Sequence, residues 1–182
     1  MPPIIFIHGL NSSPSSAWEL NMKWENDYGH ADANEGISST ESFTGNTYSW
    51  AENQPYSNVD THYIDSYDNG DDSIIELPER LIEYNSYTPN VDLFAYQYGA
   101  NNHVGIAGDD LESFIQGLRT HVDSISSYQD FNIIAHSKGG LVSRHFIELT
   151  DGTLDIDRLI TFGTPHFGVN NSAAGDLDRG EQ

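Results

Sequence analysis

A chain of 182 residues is most economically one domain, long enough to bury about two-thirds or more of its unfolded surface without a covalent staple. The absence of cysteine excludes disulfides and thiolate metal sites, and leaves reducing and oxidising compartments equally open. Seven Lys and Arg against 28 Asp and Glu give a formal net charge of −21, a field that repels nucleic acid and anionic membrane surfaces and favours solubility. The acidic excess suits a secreted or salt-adapted protein slightly better than a cytoplasmic one, although a solvated acidic surface is the plainer reading.

Met1-Pro2-Pro3 leads straight into Ile4-Ile5-Phe6-Ile7, with neither a basic leader nor an apolar segment long enough to cross a bilayer. So abrupt a start reads as a trimmed leader as readily as a natural beginning. Ile4 to His8 is the first of four apolar runs that read as buried parallel strands. It ends in a glycine turn, His8-Gly9-Leu10, after which Ser13 is placed to cap a helix starting at Pro14. From about Trp24 to Glu79 there is no lysine or arginine and much Asn, Ser, Tyr, Asp and Gly. Residues 24–79 are therefore read as an irregular acidic insertion, either a lid over the site or a plain surface excursion. Ser73 to Tyr84, with Leu81 and Ile82, is read as a short helix leading back to the sheet. Val91 to Tyr96 is the second strand run. Leu111, Phe114, Ile115, Leu118, Val122 and Ile125 then recur at helical spacing, with Asp109 and Asp110 placed as N-terminal caps. Phe131 to His136 is the third strand. Lys138 to Leu149 carries the stripe Leu141, Val142, His145, Phe146, Leu149 and is expected to end at Gly152. Leu159 to Phe162 is the fourth strand. Strands alternating with helices imply an α/β fold with a parallel sheet.

The chemistry concentrates at Phe131-Asn132-Ile133-Ile134-Ala135-His136-Ser137-Lys138-Gly139-Gly140-Leu141-Val142. An apolar strand turns sharply into a helix around a serine, the pattern of a nucleophile elbow. Strand and helix pass so closely there that the residues two before and two after the serine must be small, as Ala135 and Gly139 are. Ala135 exceeds the usual glycine by one methyl. The helix N-terminus beyond Ser137 aims N–H groups and the positive end of its dipole at developing negative charge, as acyl transfer requires. In a parallel sheet the His8-Gly9-Leu10 turn stands beside the elbow, so that the Leu10 and Lys138 backbone N–H groups are the expected oxyanion donors.

Together, His8-Gly9-Leu10, Ala135-His136-Ser137-Lys138-Gly139-Gly140 and Gly163-Thr164-Pro165-His166-Phe167-Gly168 resemble three signatures of bacterial lipases and related lipase-like α/β hydrolases. The Ala-His-Ser-x-Gly form is similar to that of small Bacillus-type lipases, and the Gly-Thr-Pro-His-x-Gly loop to that of several lipase and deacylase families. The resemblance covers roughly the first three-quarters of such a fold. It implies an α/β-hydrolase that cleaves carboxylic esters through an acyl-serine on Ser137, acts on a small-molecule or lipid ester, and uses neither metal nor organic cofactor. In those hydrolases the acid and histidine of the triad follow on later strands, whereas only Val169 to Gln182 follow the last loop here. The sequence therefore reads as an α/β-hydrolase domain lacking its C-terminal strands, a fragment or a trimmed form. The competing readings are a non-catalytic binding module on the same fold and an acyltransferase.

Other candidates are weighed beside that one. His166, on a loop at the carboxyl end of a strand, is the one available candidate base, with Asp176 or Asp178 to orient it. The plainer reading, which the resemblance favours, is a histidine that supports its own loop. His8 is expected to brace the oxyanion turn, His136 to point away from the serine, and His103, His121 and His145 to serve surface or packing roles. Asp65 to Glu76 fits a calcium loop at its first, sixth and twelfth positions, but Tyr67 and Asp72 break the pattern. An acidic turn is the reading carried forward, and any calcium there would be structural. Trp18, Trp24, Trp50 and Tyr56 line an acyl pocket on one reading and pack loops on the other. Oligomeric state does not follow from the sequence.

Overall fold

A computed structural model describes residues 1–10, 12, 14–18, 20–25, 61–67, 77–98, 103–121, 125, 128, 130–150 and 155–168. In chain order the elements are β1 (Ile4–Ile7), α1 (Pro14–Trp18), β2 (Leu20–Glu25), β3 (Thr61–Tyr67), α2 (Leu77–Asn85), β4 (Leu93–Tyr96), α3 (Val104–His121), β5 (Asp130–His136), α4 (Lys138–Thr150) and β6 (Asp155–Phe162). The four expected apolar runs are β1, β4, β5 and β6. They pair in parallel in the order β4-β1-β5-β6.

Register decides which side chains face which layer. Ile4 to Ile7 align with Leu93 to Tyr96 on one side and with Asn132 to Ala135 on the other. Because strand side chains alternate, Ile5, Ile7, Phe94, Tyr96, Ile133 and Ala135 share one face. They form a single core with Leu111, Phe114, Ile115 and Leu118 of α3 and Val142 and Phe146 of α4. Ile4, Phe6, Leu93, Ala95 and Ile134 occupy the opposite face with Trp18, Leu20 and Tyr87, flanked by Leu77, Leu81 and Ile82 of α2. Covered on both faces, β1 and β4 are buried at every position, as strands sandwiched between two layers are. Each fully buried Ile or Phe contributes about 1.5–3 kcal/mol, so this core outweighs any local strain at the ends of its strands. On the second face the cover stops short of β6, where Ile160 is 45% and Phe162 46% exposed.

The structure moves the start of α3. Asp109 and Asp110 lie inside the helix, whose first turn is closed by the Ala107 N–H donating to the His103 carbonyl (3.0 Å). The Gly105 N–H also donates to His103 Nδ1 (3.2 Å). The cap is thus His103, and Asp109 instead faces His145 of α4 at 3.6 Å. Gly108, in the early part of the helix, has a packing role: a Cβ on it would lie 2.5 Å from His145 Cδ2. Helix α4 crosses α3 there, at a distance only glycine permits.

Residues 24–79, read as irregular, begin and end in regular structure. Trp24 and Glu25 close β2, which pairs antiparallel with β3 from Leu20↔Tyr67 to Glu25↔Thr61, and α2 starts at Leu77. The two strands bond to each other rather than to the main sheet, and neither carries the continuous apolar run that marks a strand buried on both faces. Residues 26–60, with Trp50 and Tyr56, lie outside the described residues, as do 68–76, Ser13 and Gly152. Among the described residues no helix is long and apolar enough to cross a membrane.

Gly108→Leu is expected to force α3 and α4 apart. Its unfolding free energy in urea should fall by about 2 kcal/mol or more, despite a gain of about 0.5–1 kcal/mol from removing a helical glycine. Ser113→Ala, at an exposed position of the same helix, should stay within about 0.5 kcal/mol of the parent.

Candidate active site

Strand β5 delivers its last residue, His136, to the carboxyl end of the sheet, and α4 begins two residues later at Lys138. The single residue between them, Ser137, has φ 52°. A left-handed backbone costs a non-glycine residue about 1–2 kcal/mol, and three features hold it. The Ser137 N–H donates to the Phe162 carbonyl at the end of β6 (2.8 Å), and the Ser137 carbonyl accepts from the Gly140 N–H (3.1 Å) as α4 begins. The third is clearance. A Cβ on Gly139 would lie 2.5 Å from the His8 carbonyl oxygen and 2.9 Å from that of Ile7, so the first turn of α4 slides directly over the end of β1. One residue on, a Cβ at Gly140 would run into the Thr164 side chain, which packs the Gly163–Gly168 loop onto the same turn.

The parallel register carries His8 level with His136 and Gly9 level with Ser137. A Cβ on Gly9 would approach Ser137 Cβ to 2.9 Å and His136 Nδ1 to 3.1 Å. The His8-Gly9-Leu10 turn therefore lies against the serine, as the sequence reading expects, with Leu10 next in the chain. N–H groups of a helix's first turn point out of its N-terminus, and Lys138 is the first residue of α4. The structure thus gathers Ser137, Leu10 and Lys138 at one end of the sheet.

His8 is completely buried. Its Nδ1–H donates to the Gly9 carbonyl (2.9 Å), and its Nε2 accepts from the Tyr98 N–H (3.2 Å), a pattern that fits one neutral tautomer. Burial holds its pKa down from 6.5 to about 4, aided by the Lys138 and His136 charges and opposed by its two backbone hydrogen bonds. The Tyr98 hydroxyl donates to the His8 carbonyl (2.9 Å), and the two rings stack with centroids 4.3 Å apart and planes at 12°. The Lys138 side chain is fully buried as well, with Nζ 5.9 Å from the Tyr98 ring centroid. Sequence reasoning used Lys138 only for its backbone and did not single out Tyr98. Sequence gives no signal that joins His8 to a residue 90 positions away.

His166 lies on the Gly163–Gly168 loop. Its Nε2 is 3.1 Å from Thr161 Oγ1 and its Nδ1 is 3.5 Å from Arg144 Nη1, while its carbonyl also accepts from Arg144 (3.5 Å). Both ring nitrogens face partners on β6 and α4, and among the described residues no hydrogen bond joins an imidazole to Ser137. Asp176 and Asp178 lie outside the described residues. His136 is exposed, and Trp18, buried beneath the elbow, sets its ring edge-on to His136 (6.4 Å) and Phe162 (6.1 Å). His145 packs against α3, as expected. Of the calcium-loop pattern, Asp65 to Tyr67 close β3 and 68–76 are outside the described residues. No group of three potential metal ligands occurs among the described residues.

A parallel sheet flanked by helices, with a serine at a strained strand-to-helix turn beside a glycine turn, defines an α/β-hydrolase fold. The chain belongs to the palmitoyl protein thioesterase family, which it matches over residues 3–177. The propeptide form of a Bacillus licheniformis lipase is similar in structure over 92% of this chain and 23% of its own, with a TM-score of 0.50 and 20% identity. The product of the lin2722 gene of Listeria innocua is similar over 96% of this chain and 56% of its own, with a TM-score of 0.48 and 13% identity. This chain thus spans less than two-thirds of the length of either. Among curated proteins none matches it.

The buried imidazole gives a pH dependence of stability whose sign is fixed. Unfolded, His8 takes up a proton below about pH 6.5, and folded only below about pH 4, so stability falls as the pH drops through that window, by about 3 kcal/mol in all. Urea unfolding of His8→Asn should start from a lower stability at neutral pH. It should also lose less than the parent between about pH 6.5 and pH 4.

Proposed function

We propose that the protein hydrolyses acyl thioesters or esters through an acyl-serine intermediate on Ser137. The observation that carries this reading is the left-handed serine (φ 52°) standing alone between a buried strand and a helix N-terminus, with the Gly9 turn against it. Such a turn holds the hydroxyl clear of the sheet while the N-terminus of α4 faces the reacting carbonyl. In the proposed step Ser137 Oγ attacks the acyl carbon and loses its proton to a base. The carbonyl π electrons move to oxygen, and the resulting oxyanion accepts hydrogen bonds from the Leu10 and Lys138 N–H groups. Collapse expels the thiolate or alkoxide, which takes up the proton. Water then repeats the attack on the acyl-enzyme and releases the fatty acid, with no organic cofactor or catalytic metal in any step.

The acyl group is proposed to be a fatty one. Phe162, whose carbonyl holds the serine, is 46% exposed and Phe167 of the adjoining loop is fully exposed, so apolar surface borders the reacting centre. The family name points the same way. A non-catalytic module on the same fold is the second reading, favoured by the placement of both His166 nitrogens toward Thr161 and Arg144 rather than Ser137.

Turnover of a palmitoyl thioester and of a matched oxyester by purified protein and by Ser137→Ala separates the two. The first reading requires the substitution to lower turnover by about a thousandfold or more with the fold intact by circular dichroism. Turnover that persists in Ser137→Ala, or that is absent from the folded parent chain, contradicts it.

A further inference from the structure

Most of the contacts made by Tyr98 converge on a single residue. Two positions beyond β4, its N–H donates to His8 Nε2 (3.2 Å), its hydroxyl to the His8 carbonyl (2.9 Å), and its ring stacks on the imidazole at 4.3 Å. The His8 carbonyl is the atom that a Cβ on Gly139 would meet at 2.5 Å, so it lies between the Tyr98 hydroxyl and the backbone of α4. Tyr98 is itself fixed from behind: it is 2% exposed and stacks on Tyr96 at 5.7 Å. The Tyr96 hydroxyl donates to the Ala107 carbonyl of α3 (2.7 Å), anchoring the stack to the helical layer. Burial pushes the Tyr98 pKa upward, so the hydroxyl remains a donor.

We propose that Tyr98 is a positioning residue for the oxyanion turn: by gripping His8 at its carbonyl, its ring and its Nε2, it sets the direction of the Leu10 N–H. This rests on the acyl-serine reading above. The carbonyl of His8 and the Nδ1–H bond to Gly9 fix the two peptide planes that precede Leu10, leaving that turn little freedom. An oxyanion donor works only when it is already aimed at the charge that develops. Rigidity in these two planes is therefore worth more to the reaction than to the fold.

Tyr98→Phe deletes the hydroxyl bond and keeps the stack and the backbone bond, whereas Tyr98→Leu deletes the stack as well. For Tyr98→Phe, kcat on the palmitoyl thioester should fall about three- to tenfold with KM unchanged. Tyr98→Leu should fall further, towards the hundredfold loss typical of a missing oxyanion donor. Nitrogen-15 NMR supplies a readout independent of turnover: in Tyr98→Phe the Gly9 and Leu10 amide resonances should shift and exchange faster with solvent, while amides of α3 stay as in the parent. Unchanged Gly9 and Leu10 amides overturn the proposal. So does an unchanged kcat beside a lowered melting temperature, the mark of a purely structural tyrosine. If the parent chain shows no Ser137-dependent turnover, the acyl-serine reading fails, and the amide resonances alone uphold or overturn the clamp.

Discussion

The close approach of the first turn of α4 to the backbone at the end of β1 governs the carboxyl edge of the sheet. With only 2.5 Å between the His8 carbonyl and the place a Gly139 Cβ would occupy, the helix has to start immediately after β5. One residue makes the turn, and it does so in the left-handed region. The cost, about 1–2 kcal/mol, is small beside the burial of Ile5, Phe6, Ile7, Ile133 and Ala135, all without solvent exposure. The strong sheet thus holds a weak geometry at its end. The same crossing sets Gly9 beside Ser137 and brings the helix dipole to bear on that spot, so sterics and electrostatics have one origin.

Charge at the site runs against charge overall. The chain carries a formal −21, yet the groups packed around the elbow are a buried lysine, a neutral histidine and the N-terminus of a helix. A neutral His8 matters here because its single donor and single acceptor already have partners, Gly9 and Tyr98. Protonation would turn the acceptor nitrogen into a donor facing the Tyr98 N–H and break the brace.

Much of this was legible in the sequence, and the reason differs element by element. Ile4-Ile5-Phe6-Ile7 and Ile133-Ile134-Ala135 stand out because strands buried on both faces read as near-continuous apolar runs. The elbow stands out because Ala135 and Gly139 bracket Ser137 under a steric rule that is local in sequence. The start of α3 was misplaced because Asp109 and Asp110 have the chemistry of caps in sequence, whereas His103 closes the first turn and Asp109 faces His145 on another helix. The β2–β3 pair was missed because continuous apolar runs were taken to mark the strands, whereas Leu20–Glu25 alternates apolar and polar residues. The clamp of Tyr98 on His8 spans 90 residues, and nothing in either neighbourhood announces it. His166 was read as a base candidate from its place on a loop after a strand, and what the sequence could not give is that Thr161 and Arg144 stand beside its ring nitrogens.

The central claim is that the strained serine is chemically activated, and covalent labelling tests it most directly. Purified protein would be treated with a fluorophosphonate, digested, and the adduct located by peptide mass spectrometry. The account predicts a single adduct on Ser137 that forms before any other residue reacts and is lost when the protein is unfolded in urea beforehand. A folded protein that takes up no label, or takes it up on another residue while Ser137 remains unmodified, would contradict it.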